Sequence, residues 1–227
     1  MIIRKEEMEQ ILKEMAKEGT FLSEAQFQFD LAWKLKEHFG DRKIHIYLEY
    51  PDIDSRADTD GKYKKNRYDI LLEDDERKKK CIIELKYKTK KETITYGGNQ
   101  FELKNQSAQD FGRYDYLYDV SRIEAYRDNG SDDFDNGFAI LLTNDDLYWK
   151  LDGKGSNYVN FSLCGKVEND YNVTIEAGKK EWENNPNVGK LRKNGFTLAE
   201  RYEGRWVEYA GTFKYLLLEI KAKGEQA

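Results

Sequence analysis

Asp69, Glu84 and Lys86 are the residues of this chain whose types and spacing suit hydrolytic chemistry. They lie in two short apolar runs, Arg67-Tyr68-Asp69-Ile70-Leu71-Leu72 and Cys81-Ile82-Ile83-Glu84-Leu85-Lys86, joined by a wholly charged link from Glu73 to Lys80. Two such runs around a polar link read as antiparallel strands with a solvated turn. Pairing symmetric about the Glu76–Arg77 boundary sets Asp69 opposite Glu84, and directly opposed side chains lie ~5 Å apart. Lys86 follows Glu84 by two residues, so it shares that strand face. Two carboxylates at this separation can share a divalent cation such as Mg²⁺, which takes hard oxygen ligands. A neighbouring ammonium can hold or deprotonate a water, or offset charge developing at phosphorus. A plainer reading makes Glu84 and Lys86 the exposed face of an amphipathic strand; Ile82, on the same face, argues against full exposure.

Asp69 followed by Glu84-Leu85-Lys86 resembles the motif of the PD-(D/E)xK nuclease superfamily, which has the restriction-endonuclease-like fold. The resemblance implies Asp69 and Glu84 as metal ligands, joined by the main-chain carbonyl of Leu85, and Lys86 as the catalytic lysine. It implies Mg²⁺ or Mn²⁺ as cofactor and a nucleic acid, DNA above all, as partner. One departure is that Tyr68, not Pro, precedes Asp69. A literal Pro51-Asp52 occurs earlier, but Asp69 is preferred because it lies inside an apolar strand whose register leads to Glu84.

The elements that must position this hairpin are legible on either side of it. Ile3, Met8, Ile11, Leu12 and Met15 mark an amphipathic helix over 2–18, closed by Gly19. Ser23-Glu24-Ala25-Gln26 has capping-box form and opens a second helix that runs to about Phe39, with Gly40 as its stop. Phe27, Leu31, Leu35 and Phe39 form its inner stripe. Glu24 is in line with that stripe: it is either an ordinary acid favoured by the helix N-terminus or, by the resemblance, a further metal ligand. Lys43 to Tyr50 alternates as a strand that Pro51 ends, and Asp52 to Lys65 reads as a surface loop. Tyr87 to Lys91 is an extended basic segment leading from the site, and Gly97-Gly98 marks a flexible connection.

Leu103 to Arg127 predicts the longest helix. Gln106, Gln109 and Arg113 fall roughly on one face of it; the resemblance implies a residue of this helix that orients the site or grips phosphate, and these three, with Lys88, are the candidates. Asp110, Arg113, Asp115, Asp119, Arg122 and Glu124 read mainly as salt bridges along that helix. Phe138 to Thr143 is a continuous apolar run, as in a strand buried on both faces, following an acidic turn over Asn129 to Asn136. It is expected parallel to the Glu84 strand. This stretch, from Ala139 to Asp145, and the one from Lys104 to Asp115 are similar to segments of uncharacterised bacterial proteins of the same superfamily. The fold expectation is therefore α/β: a restriction-endonuclease-like core over about 20–144, with a mixed sheet flanked by helices. A β-rich extension over about 145–227 packs on it, making 1–227 one domain.

The 227 residues suffice for one sizeable core. A net charge of −5 excludes a global basic field for nucleic acid. From Lys62 to Lys91, however, twelve basic residues stand against six acidic ones, a local stripe suited to a phosphate backbone or simply a solvated turn. Two cysteines, of which Cys81 reads as core, give no disulfide framework or zinc site. His38 and His45 are too scattered for a histidine metal site. The charged N-terminus lacks a signal-peptide core, and no apolar run approaches ~20 residues, so a cytoplasmic protein without membrane contact is expected. Three functions fit: a metal-dependent phosphodiesterase, a catalytically inactive nucleic-acid-binding protein of the same fold, and an interaction protein whose E-x-K is accidental.

Overall fold

The computed structural model describes residues 1–57, 63–129, 132–150, 159–182 and 195–224, with the backbone alone for 52–57 and 63–66. Among the described residues the chain is α/β, a mixed seven-stranded central sheet with three α-helices. The first two helices, α1 (Lys5–Ala16) and α2 (Glu24–Phe39), precede the hairpin arms β1 (Ile44–Ala57), β2 (Tyr63–Asp74) and β3 (Lys79–Lys88). The small hairpin β4 (Glu92–Tyr96) and β5 (Asn99–Leu103) leads to α3 (Gln109–Asp128) and β6 (Phe134–Thr143). Beyond these come β7 (Asn172–Ile175), β8 (Gly178–Glu181), β9 (Gly195–Leu198), β10 (Tyr202–Glu208) and β11 (Lys214–Lys221). The sheet order is β1-β2-β3-β6-β11-β10-β7, in which only β3 and β6 run parallel.

Alternation along the central strands divides the core in two. Ile70, Leu72, Ile83, Leu85, Ile140 and Leu142 pack with Met8, Leu12, Phe27, Leu31 and Leu35 of α1 and α2. Leu71, Ile82, Ala139 and Leu141 face the other way, against Tyr116, Leu117, Val120 and Ile123 of α3. Burial on both faces is why Cys81–Ile83 in β3 and Phe138–Leu142 in β6 are continuous apolar runs. The α2 stripe is fully buried, Ser23 is its N-cap through Gln26 N at 3.2 Å, and Gly40 ends it at φ 55°. Gln26 reaches back to the Leu22 N–H rather than to Ser23, so the box closes one residue early.

Several expectations are corrected. Pro51 does not end its strand: β1 continues, with Pro51 facing Arg67 and Asp52 facing Asn66. A proline without an N–H is tolerated there because β1 is an edge strand. Most of the expected loop over 52–65 is thus the far part of a β1–β2 ribbon, whose turn lies outside the described residues. The sequence over 52–65 is mostly polar, which left no alternation to read. Gly97-Gly98 is a tight two-residue turn between Tyr96 and Asn99, with φ 56° and 78°, values that suit glycine. Helix α3 starts at Gln109, not Leu103. β5 takes up Asn99–Leu103, and Gln106 is pinned to Thr89 by its main-chain N–H and side-chain carbonyl. The 145–227 region adds β11, β10 and β7 to the same sheet, and β8–β9 packs over α3 through Trp182, Phe196 and Leu198.

Candidate functional site

The β2–β3 register is the symmetric one: Ile70 faces Ile83, Leu71 faces Ile82 and Leu72 faces Cys81. The ladder stops at Ile70, one pair short of Asp69 and Glu84. There β2 parts from β3, which keeps its pairing with β6 through Lys88. Two main-chain N–H groups of β3 lose strand partners, and buried donors must find others. Leu85 N donates to Asp69 Oδ2 at 2.6 Å, and Tyr87 N donates to Glu24 Oε2 at 2.7 Å. Carboxylates thereby replace the missing strand carbonyls. Gln28, one turn beyond Glu24 on α2, fixes the departing strand by donating to the Asp69 carbonyl at 2.6 Å and to Glu49 at 3.2 Å. Glu49 carries a left-handed φ of 52°, so β1 is irregular at the same level.

Glu84 and Lys86 face α3, which supplies two charges of its own. Arg122 Nη1 lies 3.1 Å from Glu84 Oε1 and 3.2 Å from Asp119 Oδ1; the other Asp119 oxygen contacts the Lys86 ammonium. Lys86 also donates to the Leu85 carbonyl at 3.1 Å. Glu84 and Asp119 are almost fully buried, at 2% and 4% exposure. Glu84 Oε1 and Asp119 Oδ2 are at ion-pair distance from their cations but have no aligned hydrogen bond. Proximity without alignment leaves part of their accepting capacity unspent.

The electrostatics follow from burial. Removal from water pushes the Asp69 carboxyl up to about 6, against the pull of Lys86 and the Leu85 N–H. Burial, then the neighbouring Asp119, raises Glu84 well above the usual carboxylate range. For Lys86 burial acts downward, but Asp119, Asp69 and Glu84 outweigh it and hold the ammonium above its ordinary value. Asp69, Glu84 and Asp119, with Glu24 at the exposed rim, bring four negative charges to two positive ones, a formal excess of two.

Among the described residues no three Asp, Glu, His or Cys side chains gather in a metal-holding arrangement. Arg122 stands against Glu84 instead. In kind the groups nonetheless suit a divalent cation: they are hard oxygens, of which Glu84 Oε1 is buried without an aligned donor. Asp69, Glu84 and the Leu85 carbonyl are the groups that would hold it, with Glu24 beside them.

The other sequence candidates go elsewhere. Gln106 lies outside the helix on Thr89, and Gln109 donates to Asp145 at 2.7 Å. Arg113 is buried, donating to the Leu147 carbonyl and lying 3.6 Å from Cys164 Sγ. These three therefore do not form one substrate-facing row. Lys88 is half-buried at the end of β3, opposite Thr143. The basic stripe is partly neutralised: Arg77 pairs with Asp74, Lys80 with Asp133, Lys90 with Asp146 and Lys91 with Glu102. The side chains of Lys62, Lys64 and Lys65 lie outside the described residues.

Sequence reasoning missed Gln28, and it read Asp119 and Arg122 as bridges along the helix. That i,i+3 bridge exists, but both residues reach across to β3. The available signal was their position on the face of α3 that carries Tyr116, Val120 and Ile123 into the core. A charged pair there needs partners.

No protein-family model, curated protein or solved structure matches the chain. Among the described residues no helix is long and apolar enough to cross a membrane.

Proposed function

We propose that the chain is a metal-dependent nuclease with a restriction-endonuclease-like core, of PD-(D/E)xK type, that hydrolyses phosphodiester bonds in DNA. One observation carries this reading. Where β2 leaves β3, the carboxylates of Asp69 and Glu24 take the freed N–H groups of Leu85 and Tyr87, next to Glu84 and Lys86. The element order from α2 to β6, with β6 parallel to β3, agrees with such a core.

Mg²⁺ or Mn²⁺ bound by Asp69, Glu84 and the Leu85 carbonyl would supply Lewis-acid polarisation of the phosphoryl oxygen. The chain's own groups do the rest. Lys86 is held charged by Asp119, so it acts as a hydrogen-bond donor that fixes the attacking water and offsets charge at phosphorus, not as a base. Gln28 holds the Asp69 backbone, and thereby the carboxylate, in place.

Purified protein with Mg²⁺ or Mn²⁺ should nick supercoiled plasmid, and Asp69→Ala or Lys86→Ala should abolish the nicking. Equal nicking by the variants, or none by the parent, counts against the proposal. The Arg122–Glu84 contact favours a second reading, a nucleic-acid-binding protein of this fold without chemistry. Salt-sensitive DNA binding with no heat of Mn²⁺ binding would select it.

A further inference from the structure

Lys86, Asp119, Arg122 and Glu84 form one unbranched relay of alternating charge between β3 and α3. Arg122 is tied down on two further sides. Its Nη2 donates to the Arg67 carbonyl of β2, and its guanidinium lies over the Tyr68 ring at 5.2 Å. Tyr68 in turn packs edge-on against Tyr126. A planar fork fixed in this way is a pre-placed cation. An isolated carboxylate as buried as Glu84 is costly, and a cation within reach lowers that cost. Yet the Glu84 Oε1 contact is not an aligned hydrogen bond, and Arg122 Nε is itself buried without one. The pairing compensates charge without saturating the donors and acceptors.

We propose that Arg122 is a resident counter-ion that occupies Glu84 until a divalent cation takes it, and that Asp119 is the positioning residue that keeps Lys86 in register through that exchange. This rests on the nuclease reading of the same site. Arg122 then competes with the metal for Glu84, whereas Asp119 adds negative charge that favours the metal. The two neighbours, one turn apart on α3, therefore have opposite signs. Loss of Arg122 leaves the buried group one positive charge poorer and should tighten divalent binding; loss of the Asp119 charge should weaken it.

The test is calorimetric titration of Mn²⁺ into the full chain and its Arg122→Gln, Arg122→Lys and Asp119→Asn variants, with urea unfolding in EDTA to verify folding. Arg122→Gln should bind Mn²⁺ at least about tenfold more tightly, and Asp119→Asn about tenfold more weakly. Both are modest fractions of the attraction between adjacent charges at an effective dielectric of ~20. Arg122→Lys, which keeps the charge, should stay close to the parent. A purely structural role would weaken binding in both Arg122→Gln and Asp119→Asn, and that result, or an unchanged Arg122→Gln, overturns the proposal while leaving the nuclease reading in place. Absence of Mn²⁺ binding by both the parent and Arg122→Gln overturns both.

Discussion

Asp69 should cost the metal-free protein stability, and removing its charge should return that stability in a pH-dependent way. Asp69→Asn keeps a side-chain carbonyl that can accept from Leu85 N and deletes the charge. The carboxyl is raised from 3.8 to about 6, burial being the largest cause. That rise corresponds to about 3 kcal/mol, at ~1.4 kcal/mol for each tenfold gain in proton affinity. The sign is set by where the proton is held more tightly, which is the folded state. Asp69 therefore favours folding fully below its unfolded value of 3.8, and this contribution is lost as the pH rises through about 6. In EDTA at pH 8 the Asn variant should be more stable than the parent by up to about 3 kcal/mol, and the gap should close near pH 4. Coupling to Glu84 acts in the same direction, because the Asp69 charge helps to raise Glu84. Urea unfolding of both proteins at half-unit pH steps measures the gap. Mn²⁺ at pH 8 should stabilise the parent and leave the variant nearly unchanged. A gap that is flat from pH 4 to 8, or an Asn variant that is weaker at pH 8, refutes the account of Asp69 as a buried, uncompensated charge.

Two further expectations concern the scaffold. A Cβ on Gly137, in the middle of β6, would lie 2.5 Å from Ile123 Cγ2 and 3.1 Å from the Ile82 carbonyl. Gly137→Ala should thus cost about 1–3 kcal/mol, read as a lower urea midpoint, and an unchanged midpoint would mean that α3 is not packed against β6 at this level. Cys81 is fully buried and burial raises its thiol well above the usual value. A thiol reagent should modify Cys164 in the native protein and Cys81 only on unfolding, and equal rates at both would contradict a sealed β3 core.

The fold was legible where periodicity and burial coincide. Phe27, Leu31, Leu35 and Phe39 repeat at helical spacing because one face of α2 meets the sheet, and Phe138 to Thr143 is continuously apolar because both its faces are covered. The β2–β3 register was legible because a short charged turn between two apolar strands leaves little freedom of pairing. The β1–β2 ribbon beyond Tyr50 was not legible because its sequence is mostly polar, and the β4–β5 hairpin because its residues are largely exposed, so no alternation betrays them. The N-terminal limit of α3 was misplaced because Leu103 continues a helical spacing by coincidence, while Gln106 is committed to Thr89.

For the site, the sequence by itself determined the β2–β3 register that sets Asp69 and Glu84-Leu85-Lys86 at one end of the hairpin, because strand alternation and hairpin symmetry are local rules. Only the tertiary structure decided what they meet. The parting of β2 from β3 turns Asp69 and Glu24 toward the free N–H groups of Leu85 and Tyr87, and α3 delivers Asp119 and Arg122 to Lys86 and Glu84. Those residues are 33 or more positions downstream of Lys86 in the chain, so no local pattern couples them. They come together because α3 must cross over the sheet to make β6 parallel to β3.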